Sequence, residues 1–174
     1  MATFPIRLFG DPVLRMQASE IENFDSTVQK LMRDLIVTLS ATSNGAGLAA
    51  PQIGILKRVF AWRYEGEFGC LANPRIIASS GSAVDEEGCL SIPGIYYPVE
   101  RATDITIIGL DESGKEIEVT ALDYKARIFQ HETDHLDGIL FLDRLEPDIQ
   151  KEARRTLREY LTSGVSPTQR RDVL

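Results

Sequence analysis

The chain has 174 residues, of which 43% are hydrophobic and 26% charged, and this size and composition fit one globular domain. The 26 acidic residues outnumber the 19 basic ones, and the net charge of −7 argues against a general affinity for nucleic acid or for anionic membranes. Two cysteines exclude a disulfide framework, no apolar stretch approaches the ~20 residues of a membrane span, and no signal-peptide pattern is present, so we expect a cytoplasmic protein.

The first predicted element is a helix that begins at Ser26. Ser26 and Gln29 have the spacing of a capping box, and apolar side chains then recur at three- and four-residue steps as far as Leu39. The segment 47–54, rich in small residues and containing a proline, fits neither the helical nor the strand period. We expect it to form an ordered loop or an edge strand.

Residues 56–122 are expected to be rich in β-structure. A first hairpin is predicted from 59–64 and 70–73, with the turn at 65–69 between them. A second hairpin, 104–121, has its turn at Asp111-Glu-Ser-Gly-Lys115 and a cleaner alternation of polar and apolar side chains.

Two further helices are predicted after the strands. One covers 123–136, and the other begins at Pro147 and ends near Gly164. The order of helix, strands and helices indicates a mixed α+β domain and not alternating βαβ units. We expect a single domain over residues 1–164, followed by a mobile C-terminal tail over 165–174.

The strongest chemical signal is His131-Glu-Thr-Asp-His135 on the second predicted helix. A spacing of four residues is close to one helical turn, so both imidazoles face the same side and can bind one metal ion. These are the only two histidines in the chain. Glu132 is placed to move a proton of a metal-bound water. The alternative is a pair of surface histidines, which the apolar neighbours Ile128 and Phe129 disfavour.

Two histidines are one ligand short of a catalytic metal site, which uses about three protein ligands. The chain has no third histidine, and three downstream glutamates are alternatives: Glu146, Glu152 and Glu159. We favour Cys89, because Gly88 beside it permits close approach of the backbone, whereas Cys70 lies in an apolar, strand-like segment. A Cys/His/His set suits Zn²⁺ or Fe²⁺ and not Mg²⁺ or Ca²⁺.

Three segments resemble the signature motifs of the peptide deformylases, in the family's order and with similar separations. They are Gly45-Ala-Gly-Leu-Ala-Ala-Pro-Gln52, Glu87-Gly-Cys-Leu-Ser91 and Gln130-His-Glu-Thr-Asp-His-Leu-Asp-Gly138. Asp11-Pro-Val-Leu-Arg15 is similar to the family's N-terminal segment, and the resemblance covers roughly residues 5–160. It implies antiparallel β-sheets around a central helix that carries the His-Glu-x-x-His motif, in agreement with the α+β prediction.

The resemblance implies a metal site and an activity. Cys89, His131 and His135 would bind the metal, which in this family is Fe²⁺, replaceable by Zn²⁺, Ni²⁺ or Co²⁺. Glu132 would be the general base and then the general acid. The implied enzyme is a metallohydrolase in which metal-bound water attacks the formyl carbonyl of N-terminal formyl-methionine on newly synthesised polypeptides, releasing formate.

The resemblance also implies how the substrate is held. The side-chain amide of Gln52 and the backbone N–H of Leu90 would form an oxyanion hole, while Ala46 and Gly47 would bind the peptide through main-chain groups. For Gln52 the alternative is that a glutamine after a proline closes a turn.

Some predictions remain open between function and packing. Tyr124 and Arg127 are candidates for the border of the substrate side-chain pocket, with ordinary packing as the alternative. Asp134 is expected to form structural hydrogen bonds and not to bind metal.

Two other functions compete with the deformylase. A metallopeptidase of the His-Glu-x-x-His type would share the motif, and a structural zinc domain would need Cys70 as its fourth ligand. The expected partners are N-formylmethionyl nascent peptides, without direct nucleic-acid recognition or membrane binding. Residues 147–174 hold six basic and four acidic side chains, a net +2, and are a hypothetical surface for transient contact with the ribosome.

Overall fold

The structure, a computed structural model, describes residues 2–163. The helices are α1 (Ser26–Ser40), α2 (Asp123–Leu136) and α3 (Pro147–Ser163). The strands are β1 (Gly47–Ala49), β2 (Val59–Tyr64), β3 (Glu67–Ser80), β4 (Ala83–Cys89), β5 (Ile92–Arg101), β6 (Asp104–Leu110) and β7 (Glu116–Leu122). Short 3-10 helices cover Pro12–Arg15, Ala50–Ile53 and Phe141–Arg144. None of the helices in 2–163 is long and apolar enough to cross a membrane, and the predicted tail, 165–174, lies outside the described residues.

All strands pair antiparallel, in two separate sheets. The larger sheet has the order β1-β2-β3-β6-β7, and within residues 2–163 β4 pairs only with β5. The α+β prediction with antiparallel sheets and a central motif-bearing helix is therefore confirmed. The segment 47–54 is an edge strand followed by a 3-10 helix, close to what its composition predicted.

The first predicted hairpin has a tighter turn than the sequence suggested. Tyr64 pairs with Glu67, so that only Glu65 and Gly66 form the turn. Both turn residues have positive φ, 50° and 84°. This is the signature of a type I′ turn, whose twist matches that of the strands, and it lets β3 begin at Glu67 where 65–69 had been predicted as turn.

The larger sheet lies between α1 and α2, and successive residues of β2 show this arrangement. Phe60 faces α2, where its ring centroid is 5.5 Å from that of Phe129. Val59 and Ala61 face the opposite side and join the core cluster that contains Leu35 of α1. Since successive side chains of a strand point to opposite faces, burial on both sides explains why β2 reads as a continuous apolar run.

Helix α1 begins one residue away from the predicted cap. The Asp25 carboxylate accepts hydrogen bonds from the N–H groups of Thr27 (2.9 Å) and Val28 (3.1 Å). The predicted capping box of Ser26 and Gln29 is therefore wrong. A carboxylate satisfies two N–H groups at once and its charge interacts favourably with the positive end of the helix, so Asp25 outcompetes the neighbouring hydroxyl.

On the side of α2 opposite the larger sheet lies the β4–β5 pair. Its apolar side chains, including Cys89, pack in one cluster with Ala153 and Leu157 of α3. Ile149 and Leu161, which lie at four-residue steps from Ala153 and Leu157, are 36% and 43% exposed, so only the middle of that face of α3 is covered. The motif-bearing helix α2 is thus enclosed between the two sheets.

Candidate metal centre

Helix α2 brings the two histidines together in the interior. His131 and His135 are each 1% exposed, and their ring centroids are 4.9 Å apart. The alternative of a surface histidine pair is thereby excluded. Burial of two imidazoles in the protein core is costly unless their nitrogens find partners, which already indicates a ligand between them.

The third donor comes from the end of β4. The Sγ of Cys89 lies 3.2 Å from Nε2 of His135, and one donor atom from each of Cys89, His131 and His135 can be chosen so that all lie within 4.8 Å of one another. The three downstream glutamates are not part of this group among residues 2–163, and neither is Cys70, which is buried in the cluster next to α1. A closed four-ligand site with Cys70 is therefore not formed.

An orphaned nitrogen atom shows that this donor set fits a metal ion. Within the described part of the chain, Nε2 of His131 is buried without a hydrogen-bond partner, and Nε2 of His135 faces the Cys89 sulfur. Burial raises the pKa of the Cys89 thiol and lowers that of His135. A bound cation would offset the cost of ionising the buried Cys89 thiol, because coordination stabilises the thiolate. The lowered pKa of His135 favours neutral imidazole, which is the form that binds metal.

Glu87 orients the first histidine. Its Oε1 lies 2.6 Å from Nδ1 of His131, which leaves Nε2 for a metal. Arg101 donates to both oxygens of Glu87, from Nη2 to Oε1 (2.7 Å) and from Nε to Oε2 (3.1 Å). Burial alone would raise the pKa of Glu87, but the hydrogen bonds and charges of His131 and Arg101 outweigh it and hold the pKa well below its usual range. Glu87 is therefore a fixed negative partner for the imidazole.

The charge network continues from Glu87 in two directions. Arg127 donates to Oε2 of Glu87 (3.0 Å) and to the carbonyl oxygens of Val99 and Ala83, so it ties α2 to both strands of the smaller sheet. Because this side chain is buried and donates to three oxygen atoms of the protein, the contacts support packing, the alternative for Arg127.

Asp134 forms the outer end of this network. Its Oδ2 accepts a hydrogen bond from Nη1 of Arg101 (2.7 Å), and its Oδ1 accepts one from Nη2 of Arg144 (2.5 Å). The prediction that Asp134 forms structural hydrogen bonds is confirmed. Arg144 is 46% exposed, so the network reaches from His131 to the protein surface.

Glu132 lies next to the β1 edge strand without a hydrogen-bond partner. Both of its oxygens are buried and unpaired among residues 2–163, and burial raises its pKa well above the usual value. A Cβ added to Gly47 would overlap the Glu132 carboxylate. Only glycine therefore lets this strand approach the carboxylate so closely.

Among residues 2–163, β1 is at the edge of the larger sheet and no strand pairs with its outer side. The carbonyl of Ala46 accepts the N–H of Arg63 (2.7 Å), so Ala46 is bonded toward β2. Because backbone groups alternate along an antiparallel strand, the N–H and C=O of Gly47 face the outer edge, away from β2.

Gln52 connects the 3-10 helix after β1 to the β4–β5 turn. Its Oε1 accepts the N–H of Ala49 (2.7 Å), which closes a turn, and this leaves Nε2 directed at Oγ of Ser91 (3.2 Å) and Sγ of Cys89 (3.6 Å). The turn-closing reading and the functional reading of Gln52 are thus compatible. Leu90 occupies the turn between β4 and β5, directly after Cys89.

Sequence reasoning missed the supporting roles of Glu87, Arg101 and Ser91. A signal for Glu87 was present, because it stands two residues before Cys89 in the same short motif, although the strand register shifts between the two residues. Arg101 had no comparable signal, since it reaches Glu87 only through the pairing of β4 with β5.

Comparison with known proteins gives one consistent family. The polypeptide deformylase family model matches residues 3–151. A peptide deformylase of Acidothermus cellulolyticus is 48% identical over 164 residues, 94% of this chain and 91% of the relative.

Solved structures agree with the family model. The crystal structure of peptide deformylase from Thermus thermophilus is 42% identical, with a TM-score of 0.86 over 92% of this chain and 96% of that one. A peptide deformylase from Ehrlichia chaffeensis in complex with actinonin is 33% identical, with a TM-score of 0.85 over 91% and 98% of the two chains. This chain therefore belongs to the polypeptide deformylase family, the metal-dependent hydrolases that remove formyl groups from newly made polypeptides.

Proposed function

We propose that this chain hydrolyses the formyl–nitrogen bond of N-terminal formyl-methionine through the site built around Cys89, His131, Glu132 and His135. The observation that carries the proposal is the unpaired, buried Glu132 carboxylate beside an open strand edge and a three-donor group. A general base, a place for a peptide and a metal site meet there. Each of the three contributes to the hydrolysis of an amide, which is a poor electrophile.

The proposed ligands are Cys89, His131 and His135, which leave a position for water and substrate. When bound, the metal supplies positive charge that lowers the pKa of a water ligand and makes it a stronger nucleophile near neutral pH. Glu87 fixes the His131 ring for this role through the 2.6 Å contact at Nδ1.

Glu132 acts first as a base and then as an acid. It takes a proton from the attacking water while the water oxygen bonds to the formyl carbon. It then gives the proton to the methionine nitrogen as the carbon–nitrogen bond breaks, so that formate and a free amine leave. Burial raises the pKa of this carboxyl, which helps it to hold the proton until the methionine nitrogen accepts it.

The oxyanion is proposed to form between Gln52 and the turn that contains Leu90. Attack places negative charge on the formyl oxygen, which the Nε2 amide of Gln52 and the backbone N–H of Leu90 stabilise as donors. Gln52 is held for this purpose by its bond from Ala49, which orients Oε1 away and Nε2 toward the site. Donors fixed in advance need no rearrangement when the charge develops.

The peptide is proposed to pair with the outer edge of β1. Ala46 and Gly47 would contribute main-chain groups, with those of Gly47 facing the open edge. Added-strand binding recognises backbone without reading the sequence, which suits an enzyme that acts on many nascent chains.

Product analysis separates the deformylase from the metallopeptidase. Formyl-Met peptide and unmodified peptide are incubated with the enzyme, and formate and new amino termini are both quantified. We expect formate from the first substrate and no internal cleavage of the second. New amino termini within unmodified peptide, without formate, would establish the metallopeptidase.

We propose Fe²⁺ as the resident metal, replaceable by Zn²⁺, Ni²⁺ or Co²⁺, because the soft and borderline donors suit these ions. Iron and the Cys89 sulfur can be oxidised by O₂, whereas zinc has no redox chemistry. Activity measured over hours in air should decay for an iron-loaded sample and persist for a zinc-loaded one. Equal decay of both would remove the oxidation argument for iron.

We further propose that the enzyme works in the cytoplasm on nascent chains, with the net +2 of residues 147–174 as a contact surface for the ribosome. Part of this surface, 164–174, lies outside the described residues. Titration of 70S ribosomes with the full chain and with a chain truncated after Thr162 tests this. Unchanged affinity would end the proposal that residues 163–174 contribute to the contact.

A further inference from the structure

The N-terminal segment, residues 2–9, is bonded to both chain segments that carry the proposed oxyanion hole, and we name it the N-terminal strap. The N–H of Arg7 donates to the carbonyl of Gln52 (2.7 Å), and the N–H of Phe9 donates to the carbonyl of Ser91 (2.8 Å). Two backbone bonds, two residues apart, thus attach one segment to Gln52 and to the residue after Leu90.

The strap is also anchored at its start. The N–H of Ala2 donates to Oδ1 of Asp34 (3.1 Å) and the N–H of Phe4 donates to Oγ1 of Thr38 (3.2 Å), both on α1. The strap therefore has a fixed origin, and a change in its course would move its later residues relative to the site.

Side chains of the strap join two separate core clusters. Phe4 and Ile6 pack against the cluster that contains Ala50, in the same 3-10 helix as Gln52. Phe9 packs against the other cluster, which contains Cys89. The two segments that carry Gln52 and Leu90 belong to different parts of the chain, and the strap connects both.

Among the described residues, one direct hydrogen bond joins the segment of Gln52 to the segment of Leu90, besides the contact of Gln52 with the Cys89 sulfur. It is the side-chain bond from Nε2 of Gln52 to Oγ of Ser91, 3.2 Å long. During the proposed reaction, Nε2 of Gln52 must donate a hydrogen bond to the oxyanion. A bond on the catalytic amide itself is a weak way to hold the spacing, whereas the strap bonds use backbone groups that the reaction does not need.

We infer that the N-terminal strap is a positioning element that sets the distance between the Gln52 amide and the Leu90 N–H. The inference rests on the proposed function, in which these two groups stabilise the oxyanion. Donors act well only at about 2.7–3.1 Å from the oxygen, so a small change in their separation weakens one of them. Because the charge exists only in the transition state, the loss falls on kcat and not on KM.

The turn after the strap permits a clean test of the Phe9 bond. The N–H of Asp11 donates to the carbonyl of Leu8 (3.0 Å), and Gly10 has φ of +104°. A four-residue turn with positive φ at its third position is of type II, where proline is favoured at the second position, here Phe9. Phe9→Pro therefore removes the N–H without opposing the turn. Phe9→Ala removes the ring as well but keeps the N–H and is the matched control.

We expect kcat for formate release from a formyl-Met peptide to be about tenfold lower in Phe9→Pro than in Phe9→Ala, a fraction of the ~10²–10³ lost with a whole donor. KM should agree within about twofold and metal content should be equal. Assays well below both melting temperatures separate this from unfolding. Arg7→Pro and Arg7→Ala form a second pair, which tests the positioning role of the strap if Phe9→Pro does not fold. Equal kcat within the pairs would overturn the inference.

A double-mutant cycle shows whether the strap acts through the oxyanion hole. In a Gln52→Ala background the proline–alanine difference should shrink to about twofold, because one of the two positioned donors is gone. An undiminished tenfold difference would overturn the inference while leaving the proposed function standing. Full kcat in Gln52→Ala would instead refute the oxyanion role of Gln52 and the strap's role with it. Absence of formate from the unsubstituted enzyme would refute the proposed function itself.

Discussion

The two sides of Glu132 are held by different kinds of interaction. On the ligand side, meaning the proposed metal ligands Cys89, His131 and His135 with their supporting residues, buried charges dominate, with Glu87 bonded to two arginines and an imidazole. On the amide side, meaning Gln52 and the turn 90–91, neutral hydrogen bonds from backbone and side chain provide the support.

The difference decides how each side responds to change. Removing one partner of a buried ion pair leaves an uncompensated charge, at a cost of about 3–5 kcal/mol, whereas a neutral hydrogen bond contributes about 1 kcal/mol net. The ligand side is therefore expected to fail by losing the metal, and the amide side by losing catalytic rate with the metal in place.

The largest expected effect lies between the two sides, at Glu132. Glu132→Gln keeps the shape of the side chain but cannot take a proton from water. We expect kcat to fall by about 10³-fold, within the usual range for a lost general base, while metal content stays unchanged. Metal analysis and steady-state kinetics on the same sample check this. Loss of the ion would instead make Glu132 a ligand or a determinant of the fold.

Substitution of Cys89, the proposed cysteine ligand, should impair the ligand side alone. Cys89→Ser should lose most of the metal, and activity should fall by about 100-fold, because a neutral hydroxyl is a much weaker ligand than a thiolate. Cys70→Ser, equally buried but outside the donor group, is the control and should keep both. The reverse pattern would show that Cys70, and not Cys89, binds the metal.

Two substitutions, one on each side, are expected to have opposite effects on metal affinity and on kcat. Glu87→Gln should weaken metal binding by about 10–100-fold, as is usual when the partner of a ligating histidine is removed, with a smaller change in kcat once metal is saturating. Gln52→Ala should do the opposite, lowering kcat at constant affinity. Metal titration with kinetics at saturation separates the two effects. Matching profiles for both variants would contradict the division into two sides.

The smallest effect is expected at the exposed end of the charge network. Arg144→Met removes one partner of Asp134, but Asp134 keeps its buried bond from Arg101. Solvent screens an arginine that is 46% exposed, so metal affinity should change by less than about threefold. Arg155→Met, on the exposed face of α3, is the control. A loss as large as that of Glu87→Gln would show that the surface controls the ligand side.

The proposed ligands on the ligand side were easier to predict from the sequence than the residues that support them. A four-residue spacing fixes two histidines on one helical face, and α2 runs over the predicted residues, 123–136. The contact of Glu87 with Arg101 depends on the pairing of β4 with β5, which no local spacing encodes. Strand β5 also contains Pro93, Gly94 and Pro98, which weaken the strand pattern, so the sequence does not predict where β5 begins and ends.

The amide side was predicted through its resemblance to a motif and not through its geometry. Proline followed by glutamine indicates a turn, and a turn is what Oε1 of Gln52 closes. The attachment of the N-terminal strap joins residues more than 40 positions apart in sequence by backbone bonds, and backbone donors are the same at every residue except proline. Neither composition nor periodicity therefore predicts the attachment of the N-terminal strap.

The most direct test of the central claim is a stepwise metal titration of chelator-treated enzyme. Formate release from a formyl-Met peptide and metal content are measured on the same samples, with Fe²⁺ added without oxygen and Zn²⁺ in parallel. We predict that the rate rises in proportion to bound metal and levels off at about one ion per chain, as a single Cys/His/His site requires. A formate-release rate that is independent of bound metal would contradict the account.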